Sequence, residues 1–282
     1  MNKFFYCLTK IFTILALFIV ISSLNAHITA YAMPFYSLSP KRMTIRSMFS
    51  TEYEKSSLER KNNIKLATKS INNYLLDVGG EFSFNKVVGP RTEKRGYKTA
   101  KIIFDGEFID GVGGGVCQVS TTLYNAVLLA GLKVVEYHPH SLPVSYVLPS
   151  FDAMVNSGTA DLRFVNDTLN PLIIKATADD NTLTVTIIGE ALKVEYERQS
   201  IVSDTIPAPS YIVQKDVLGE YPNLYEGERL YLAYSKNGLK SQGYVNVYKN
   251  KKLINKIKLR SDTYKAVQGK VVEGTKKRPT DP

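Results

Sequence analysis

Long apolar runs are almost absent from this 282-residue sequence. The one clear run, residues 11–24, follows two lysines and precedes Ala30-Tyr31-Ala32. A basic start, an apolar stretch and an A-x-A site are typical of a secretory signal, so we predict a signal peptide over residues 1–32. Because residues 4–8 are apolar too, an uncleaved signal anchor is the alternative. The lack of a second run excludes a polytopic membrane protein, and we expect the body of the protein to lie outside the cytoplasm.

Cysteine is scarce as well, with two residues in the whole chain. Cys7 falls in the predicted signal, so cleavage leaves Cys117 as the lone thiol. A single thiol excludes an intramolecular disulfide, and the commonest fate of such a residue is a packed, unreactive side chain. The position of Cys117 argues against that fate, because a glycine run precedes it and keeps it accessible at a predicted helix start.

Histidine is the third scarce residue type, with three in the chain. His27 falls in the predicted signal region, which leaves His138 and His140 as candidate bases. They are two residues apart in a segment that two prolines keep extended, so we expect both rings on the same face. Either histidine is therefore a candidate partner for Cys117.

The formal net charge is +10, and it is unevenly distributed. Residues 33–190 hold 17 basic and 16 acidic groups, whereas residues 191–282 hold 17 basic and 10 acidic groups. For an exported protein the available polyanions are wall polymers and lipid head groups, so we expect no nucleic-acid partner. A solvated basic face without a specific partner is the alternative. Membrane contact is expected only through an uncleaved N-terminal segment.

The segment around Cys117 combines a glycine-rich loop with a helical pattern. Apolar residues recur at i, i+3, i+4 and i+7 through residues 116–130, and Gly131 is a natural stop, so a helix is predicted with one buried face. The unpaired N–H groups and the positive dipole end of a helix start should lower the pKa of the Cys117 thiol. The predicted oxyanion loop consists of three residues without side chains, Gly113, Gly114 and Gly115. Their N–H groups and the N–H of Cys117 are expected to bind the carbonyl oxygen of a substrate.

These residue types suit one kind of chemistry best. A thiol at a helix start and a histidine in the same domain are the arrangement of nucleophilic acyl transfer, with Asp152 as the predicted orienting carboxylate. Arg91, in a Gly-Pro-Arg turn, is either a clamp for a substrate carboxylate or an ordinary surface arginine. A zinc site formed by Cys117, Asp152 and both histidines ranks lower, and we expect no metal. The loop lacks the endings of phosphate and dinucleotide motifs, so no cofactor is expected either.

The remaining patterns predict an α+β domain over residues 33–190, a small all-β domain over residues 200–275 and a basic tail over residues 276–282. Residues 33–50 show no clear period. A helix is predicted over residues 57–76, with a hairpin turning at Asp105-Gly106. Antiparallel strands are predicted over residues 81–85, 133–137, 162–165, 172–176 and 183–188. Beyond residue 200, alternating Tyr and Val with frequent glycines indicates short strands and no helix.

Several blocks of the sequence resemble the VanW domain of Gram-positive bacteria over about residues 50–190. They are Gly80-Glu-Phe-Ser-Phe-Asn85, Val88-Gly-Pro-Arg-Thr92, Gly96-Tyr97, Gly113-Gly-Gly-Val-Cys-Gln-Val-Ser-Thr-Thr-Leu-Tyr-Asn125, His138-Pro-His-Ser-Leu-Pro-Val-Ser-Tyr146 and Asp152-Ala153. The Gly-Arg pair that usually precedes this aspartate in the family is Ser150-Phe151 here. Residues from about 200 to 275 resemble a G5 domain, a glycine-marked β module of surface proteins, and end in Val-Glu-Gly274-Thr.

The resemblance implies a cell-wall enzyme, an L,D-transpeptidase that crosslinks peptidoglycan through Cys117, with wall polymers or sugars as partners of the basic C-terminal domain. His140 is the expected base because it continues into the shared Ser-Leu-Pro-Val block, with His138 as the alternative. Tyr146, which ends that block, is expected to contact substrate together with Arg91. The rival hypothesis is a non-catalytic wall-binding or accessory protein, linked to peptidoglycan or glycopeptide resistance, in which Cys117 only packs. A hydrolase of the same bond is a third possibility.

Overall fold

The computed structural model describes residues 43–104 and 106–278, which belong to one compact unit. These residues are mostly β-structure with few helices, so the predicted α+β class understates the share of strands. The predicted signal, Asp105 of the hairpin turn and the end of the basic tail lie outside the described residues. None of the helices in the described ranges combines the length and the apolar character that a bilayer span requires.

Three α-helices lie within the described residues: α1 Leu58–Ile71, α2 Phe84–Val88 and α3 Val116–Leu129. Ser57 caps α1, because its side chain accepts a hydrogen bond from the Arg60 N–H. The prediction of one helix over residues 57–76 was too long. Asn73 takes a left-handed φ of 58°, and Tyr74–Leu76 then pairs as a strand, which no helix can continue through.

The strands of the predicted VanW-like half pair antiparallel throughout. Their bounds are β1 Thr44–Glu52, β2 Tyr74–Leu76, β3 Glu81–Ser83, β4 Thr99–Phe104, β5 Glu107–Val112, β6 Lys133–Glu136, β7 Arg163–Val165, β8 Leu172–Ala178 and β9 Thr182–Gly189. They form sheets of order β1-β9-β8-β2 and β3-β7-β6, with β4 and β5 as a separate hairpin. The hairpin prediction is confirmed, with Phe104 opposite Glu107.

Helix α3 lies in the hydrophobic core, with almost every residue buried. The prediction of one buried face was therefore incomplete, because the polar residues of α3 are buried as well. Ser120, Thr121 and Asn125 hydrogen-bond the backbone of residues 151–153, with the Ser120 hydroxyl 2.6 Å from a carbonyl oxygen. A buried polar group without a partner costs about 1–3 kcal/mol, so these bonds are needed. The polar face of α3 thereby holds the extended segment that carries Asp152.

Strand β1 also packs on α3, and this packing explains why the sequence did not predict the strand. Its inward residues include Ser47, whose hydroxyl donates to the Ala126 carbonyl oxygen at 2.6 Å, and Thr51, whose hydroxyl lies 2.8 Å from that of Thr122. Polar residues at inward positions interrupt the apolar alternation of a strand. Residues 33–50 therefore showed no clear period, although β1 begins at Thr44.

The C-terminal residues form two three-stranded sheets of order β10-β13-β14 and β11-β15-β12, in agreement with the predicted all-β module. Their bounds are β10 Glu195–Ile206, β11 Ile212–Lys215, β12 Arg229–Ala233, β13 Gly238–Lys249, β14 Lys252–Tyr264 and β15 Lys270–Glu273. The first of these sheets packs against the VanW-like half. The Ser150 hydroxyl lies 2.7 Å from that of Ser241, and a Cβ at Gly243 would lie 2.8 Å from the Ser150 carbonyl oxygen. The contact falls directly before Asp152.

Candidate active site

Cys117 occupies the first turn of helix α3. The helix follows Gly115, whose φ of 107° is left-handed and which provides no capping side chain. The N–H of Cys117 has no hydrogen-bond acceptor among the described residues, so the helix start is open to an anion. The thiol is free and half-buried, and its Sγ lies 3.3 Å from the Val155 carbonyl oxygen. Cys117 is therefore neither disulfide-bonded nor fully sequestered in the core.

The glycine loop before this helix is held in one shape by its neighbours. Asn63 of α1 donates to the carbonyl oxygens of Lys98 and Gly114 at 2.8 and 2.9 Å. A side chain at Gly114 would place its Cβ 2.7 Å from a backbone oxygen, so this position requires glycine. The Gly113 N–H donates to the Lys98 carbonyl oxygen at 3.1 Å. That N–H is thus already used, whereas the Cys117 N–H is open to an oxyanion.

His140 and Asp152 connect to the thiol in a chain of contacts. The Nδ1 atom of His140 lies 2.7 Å from Oδ2 of Asp152, which also accepts the His140 backbone N–H at 2.6 Å. The same imidazole lies close enough to the Cys117 thiol for each group to shift the pKa of the other. Only 5% of the His140 side chain and 1% of the Asp152 side chain are exposed. Thiol, imidazole and carboxylate in this order are the arrangement that activates a nucleophile for acyl transfer.

The three groups also shift each other's pKa. Burial raises the pKa of Cys117, but the hydrogen bond and the charge of His140 oppose this effect and leave the pKa lowered. Burial lowers the pKa of His140, whereas its hydrogen bonds to Asp152 and Cys117 raise it to about 9. Burial raises the pKa of Asp152, but His140 and Arg260 together bring it down to about 2. The state favoured by these shifts is a thiolate beside an imidazolium.

His138 has a different partner. Its Nε2 lies 3.0 Å from Oε1 of Glu136, and 36% of its side chain is exposed. The expectation that both rings share one face does not describe these contacts, because strand β6 ends at Glu136 and its two-residue alternation does not reach the histidines. With His138 and His140 on separate carboxylates, the zinc alternative lacks a shared centre. The described residues contain no cluster of three His, Cys, Asp or Glu suited to a metal ion.

Cys117 and His140 line a groove of about 1370 Å³. This volume exceeds the roughly 300–1,000 Å³ of ordinary small-molecule pockets, so the groove has room for an extended polymer segment. The β4–β5 hairpin contributes Phe104 and Phe108 to the lining, and the C-terminal residues contribute Lys236, between β12 and β13, and Thr263 of β14. Both halves of the chain therefore border the groove.

Arg91 and Tyr146, the two predicted substrate contacts, line the same groove. Arg91 donates to Oδ1 of Asn85 at 2.6 Å and forms no salt bridge with a carboxylate of the described residues. Its charge, which also lowers the pKa of the Cys117 thiol, is therefore available to a substrate carboxylate. Burial raises the pKa of Tyr146, so its hydroxyl stays neutral and can donate a hydrogen bond.

Two further residues at the site have no local signal in the sequence. Arg260 and Tyr264 of β14 bind Asp152 across separations of 108 and 112 residues. Neither lies in a recognisable motif, and the pairing depends on how the C-terminal sheet packs. Asn63, which holds the glycine loop, had only a weak signal, namely an amide beside the apolar stripe of a predicted helix.

We expect iodoacetamide to alkylate Cys117 near pH 6 about tenfold faster than it alkylates free cysteine. The reason is that the imidazolium of His140 stabilises the thiolate below the ordinary thiol pKa. The His140→Gln variant should lose this advantage, because an amide carries no charge. Intact-protein mass spectrometry across a pH series measures the rate of carbamidomethylation.

The His138→Gln variant is the matched control, since the same substitution is made two residues away on a ring that binds Glu136. It should keep the wild-type pH profile. A wild-type rate that rises only above about pH 8, as for an ordinary thiol, would contradict the activation of Cys117.

The chain is similar to known proteins over the segment that carries these residues. Residues 59–188 match the family model described as VanW like protein. Over 137 residues the chain is 44% identical to the uncharacterized protein YoaR of Bacillus subtilis (strain 168). The aligned segment covers 49% of this chain and 45% of that protein. Over 176 residues it is 28% identical to the vancomycin B-type resistance protein VanW of Enterococcus faecalis (strain ATCC 700802 / V583), with 61% of each covered. The chain thus spans about half to three fifths of the length of these relatives.

Two solved structures match a smaller share of the chain, and both are named as G5 domains. The IgA1 protease G5 domain covers 30% of this chain and 92% of its own, with 23% identity and a TM-score of 0.19. The match to the HP0197-G5 crystal structure covers 29% of this chain and 100% of that structure, with 17% identity and a TM-score of 0.16. For the half that carries Cys117, His140 and Asp152, the predicted family is confirmed by the family match: residues 59–188 are a VanW domain.

Proposed function

We propose that this protein is an exported cell-wall enzyme that crosslinks peptidoglycan stem peptides by cysteine acyl transfer of the L,D-transpeptidase type. The proposal is carried by the grouping of Cys117, His140 and Asp152: the thiol and the imidazole line one groove large enough for a polymer segment, and the imidazole, 2.7 Å from Asp152, lowers the pKa of the thiol. The VanW match supports it, because the resemblance implies this chemistry at the matching cysteine. One relative is named as a vancomycin resistance protein, which agrees with the glycopeptide-resistance setting of the family.

In the first half-reaction, the Cys117 thiolate attacks the carbonyl carbon of the third stem-peptide residue. The Cys117 N–H, at the open start of α3, stabilises the negative charge that develops on the carbonyl oxygen. His140 then gives its proton to the leaving nitrogen, the amide bond breaks, and the terminal D-alanine departs with a free amine. The product is a thioester between Cys117 and the stem peptide.

In the second half-reaction, a side-chain amine of another stem peptide attacks this thioester. His140, now neutral, takes the proton that the amine loses, and the carbon–sulfur bond breaks to restore the thiolate. One amide bond has been broken and one formed, so no oxidant, reductant or energy source is needed. Asp152 keeps Nδ1 of His140 protonated throughout, which leaves the other ring nitrogen free to exchange protons.

The charge of the groove fits such a substrate. Five basic residues line it, against the two acidic residues Glu52 and Glu54: Lys55, Arg60, Arg91, Lys101 and Lys236. A stem peptide ends in a carboxylate, and guanidinium and ammonium groups attract and orient such an anion. The exposed lysines of β14 carry the same sign, and we assign them to contact with anionic wall polymers.

The decisive experiment incubates the full chain with purified tetrapeptide muropeptides and follows the products by mass spectrometry. We expect release of D-alanine and formation of crosslinked dimers, together with a protein mass increased by the acyl-tripeptide. Protein alkylated beforehand with iodoacetamide is the control and should give none of these products. Neither D-alanine nor dimers from the untreated protein would overturn the proposal and favour a wall-binding role.

Adding an amine acceptor separates the transferase from the hydrolase. A transferase should form more dimer as the acceptor concentration rises, because the amine competes with water for the thioester. Shortened tripeptide monomers without dimers, at every acceptor concentration, would instead identify a cysteine hydrolase acting on the same bond.

A further inference from the structure

The two oxygens of Asp152 are held by different halves of the chain. Oδ2 binds His140, through the ring and through the backbone N–H. Oδ1 accepts Nη2 of Arg260 at 2.6 Å and the hydroxyl of Tyr264 at 2.6 Å. Arg260 also donates from Nη1 to the Asp152 backbone oxygen at 2.7 Å. The carboxylate that orients the candidate catalytic histidine is therefore clamped from behind by the C-terminal sheet.

The clamp consists of Arg260 and Tyr264, and the strand geometry of β14 fixes their orientation. Arg260, Asp262 and Tyr264 alternate along β14 and are all buried, whereas Ser261 and Thr263 between them are exposed. Period-two alternation places the three on one face of the strand, against the VanW domain. The Nε of Arg260 donates to Oδ2 of Asp262 at 2.6 Å, which fixes the plane of the guanidinium.

Further contacts hold the other end of the clamp. The guanidinium of Arg260 lies 5.2 Å from the centroid of the Tyr137 ring, within the range of a cation–π contact. The Tyr264 hydroxyl accepts the Ser150 N–H at 2.7 Å while it donates to Asp152. Each donor in the clamp therefore has its own support, and neither can rotate freely.

We infer that Arg260 and Tyr264 are positioning residues for the His140–Asp152 pair, so that the VanW site is complete only with the C-terminal sheet docked on it. This inference rests on the proposed function, in which His140 exchanges protons with substrate. A carboxylate held on one oxygen alone can rotate, and a displacement of about 1 Å at a catalytic group can reduce a rate by about a hundredfold. The C-terminal sheet is thus part of the catalytic unit.

The charged and titratable groups around Asp152 and Cys117 define whether loss of these contacts should raise or lower the reactivity of the thiol. The groups that face Asp152 are His140, Arg260, Tyr264, Tyr124 and Tyr146. Those that face Cys117 are His140, Arg91 and Tyr146. Asp152, Asp262 and Tyr124 face Arg260. A loosened Asp152 binds the His140 ring less well, so the imidazolium is less favoured and the thiolate with it. Loss of the clamp should therefore slow thiol alkylation at mildly acidic pH.

The test measures the pH profile of iodoacetamide alkylation at Cys117 in the full chain, together with the melting temperature. Arg260→Met removes the charged fork, and we expect at least about a tenfold slower reaction near pH 6, with partial recovery in Arg260→Lys, which keeps the charge. Arg229→Met is the matched control, because Arg229 pairs with Glu273 on the other C-terminal sheet. Its profile should match that of the wild type.

Tyr264→Phe keeps the inference testable if Arg260→Met fails to fold, since it removes only one hydroxyl. We expect it to react about threefold slower near pH 6, with Tyr244→Phe as its control, because the Tyr244 hydroxyl binds Gln242 instead. A purely structural contact would lower the melting temperature and leave the profile of the folded protein unchanged. A folded Tyr264→Phe variant with the wild-type profile would overturn the inference.

The alkylation readout uses no peptidoglycan, so it separates the two hypotheses. If muropeptides are not converted and the clamp variants still shift the thiol profile, the proposed substrate is wrong and the positioning role stands. If muropeptides are crosslinked and the clamp variants keep both the wild-type profile and the wild-type rate, the positioning role is wrong.

Discussion

The Cys117→Ala variant is expected to lose D-alanine release and dimer formation by about 10⁴-fold or more, because no other group in the groove can form the thioester. The truncated side chain is small and half-buried, so the free energy of unfolding should change by no more than about 1 kcal/mol. Product formation and the acyl-enzyme mass are followed in the same samples. A folded protein without the mass increase would place the chemistry at this sulfur atom.

Cys117→Ser is the matched variant, since it keeps the size of the side chain and changes only the nucleophilic atom. The hydroxyl of serine ionises far less readily than a thiol, and this site lowers the pKa of its nucleophile mainly through one imidazole. We expect a loss of about 10³-fold or more. Retention of more than about a tenth of the wild-type rate by either variant would show that Cys117 is not the nucleophile.

The Asp152→Asn variant is expected to lower the rate of transfer by about 10⁴-fold, because an amide that donates to His140 stabilises the wrong ring tautomer. Asp152 is buried and paired with Arg260 as well as His140. Removing its charge leaves these cations less well neutralised, so the free energy of unfolding should also fall by about 3 kcal/mol. Transfer rates at saturating substrate, together with urea denaturation, measure the two effects separately.

Glu136→Gln provides the control, because Glu136 binds the neighbouring His138 as Asp152 binds His140. Its charge is removed on the same segment of chain and outside the contact chain to Cys117. We expect a rate within about threefold of the wild type. A comparable loss in both variants would mean that charge on this segment matters and that the Asp152–His140 pair has no special role.

The pH dependence of stability gives a second check on Asp152. Its pKa of about 2 in the folded protein lies below the ordinary value of 3.8. The carboxylate therefore contributes stability that is fully present above about pH 4 and is lost as the pH falls through about 2. The wild-type free energy of unfolding should accordingly fall more steeply over this range than that of Asp152→Asn. Parallel curves would contradict the ion pairs assigned to Asp152.

Much of the site was predictable because its signals are local. The apolar period after Cys117 predicts the helix, and the glycines before it predict an open helix start. Asp105-Gly106 predicts the hairpin that borders the groove. Each of these signals lies within a few residues of the structure that it specifies, so no knowledge of the packing was required.

Other predictions failed or stayed open because the deciding contacts are distant in sequence. The two histidines are equivalent by spacing, and only the packing of residues 151–153 on α3 brings Asp152 to His140, while His138 binds Glu136. Strand β1 was missed because its inward serine and threonine bind the helix and carry no apolar period.

The sequence alone determined that Cys117 lies at a glycine-bounded helix start with two histidines downstream, since short-range sterics and periodicity depend on neighbouring residues. The tertiary structure alone decided which histidine binds Asp152 and that Arg260 and Tyr264 hold the Asp152 carboxylate. The physical reason is that burial of ionic groups is favourable only with complete pairing, and those partners come together only when the C-terminal sheet packs on the VanW domain.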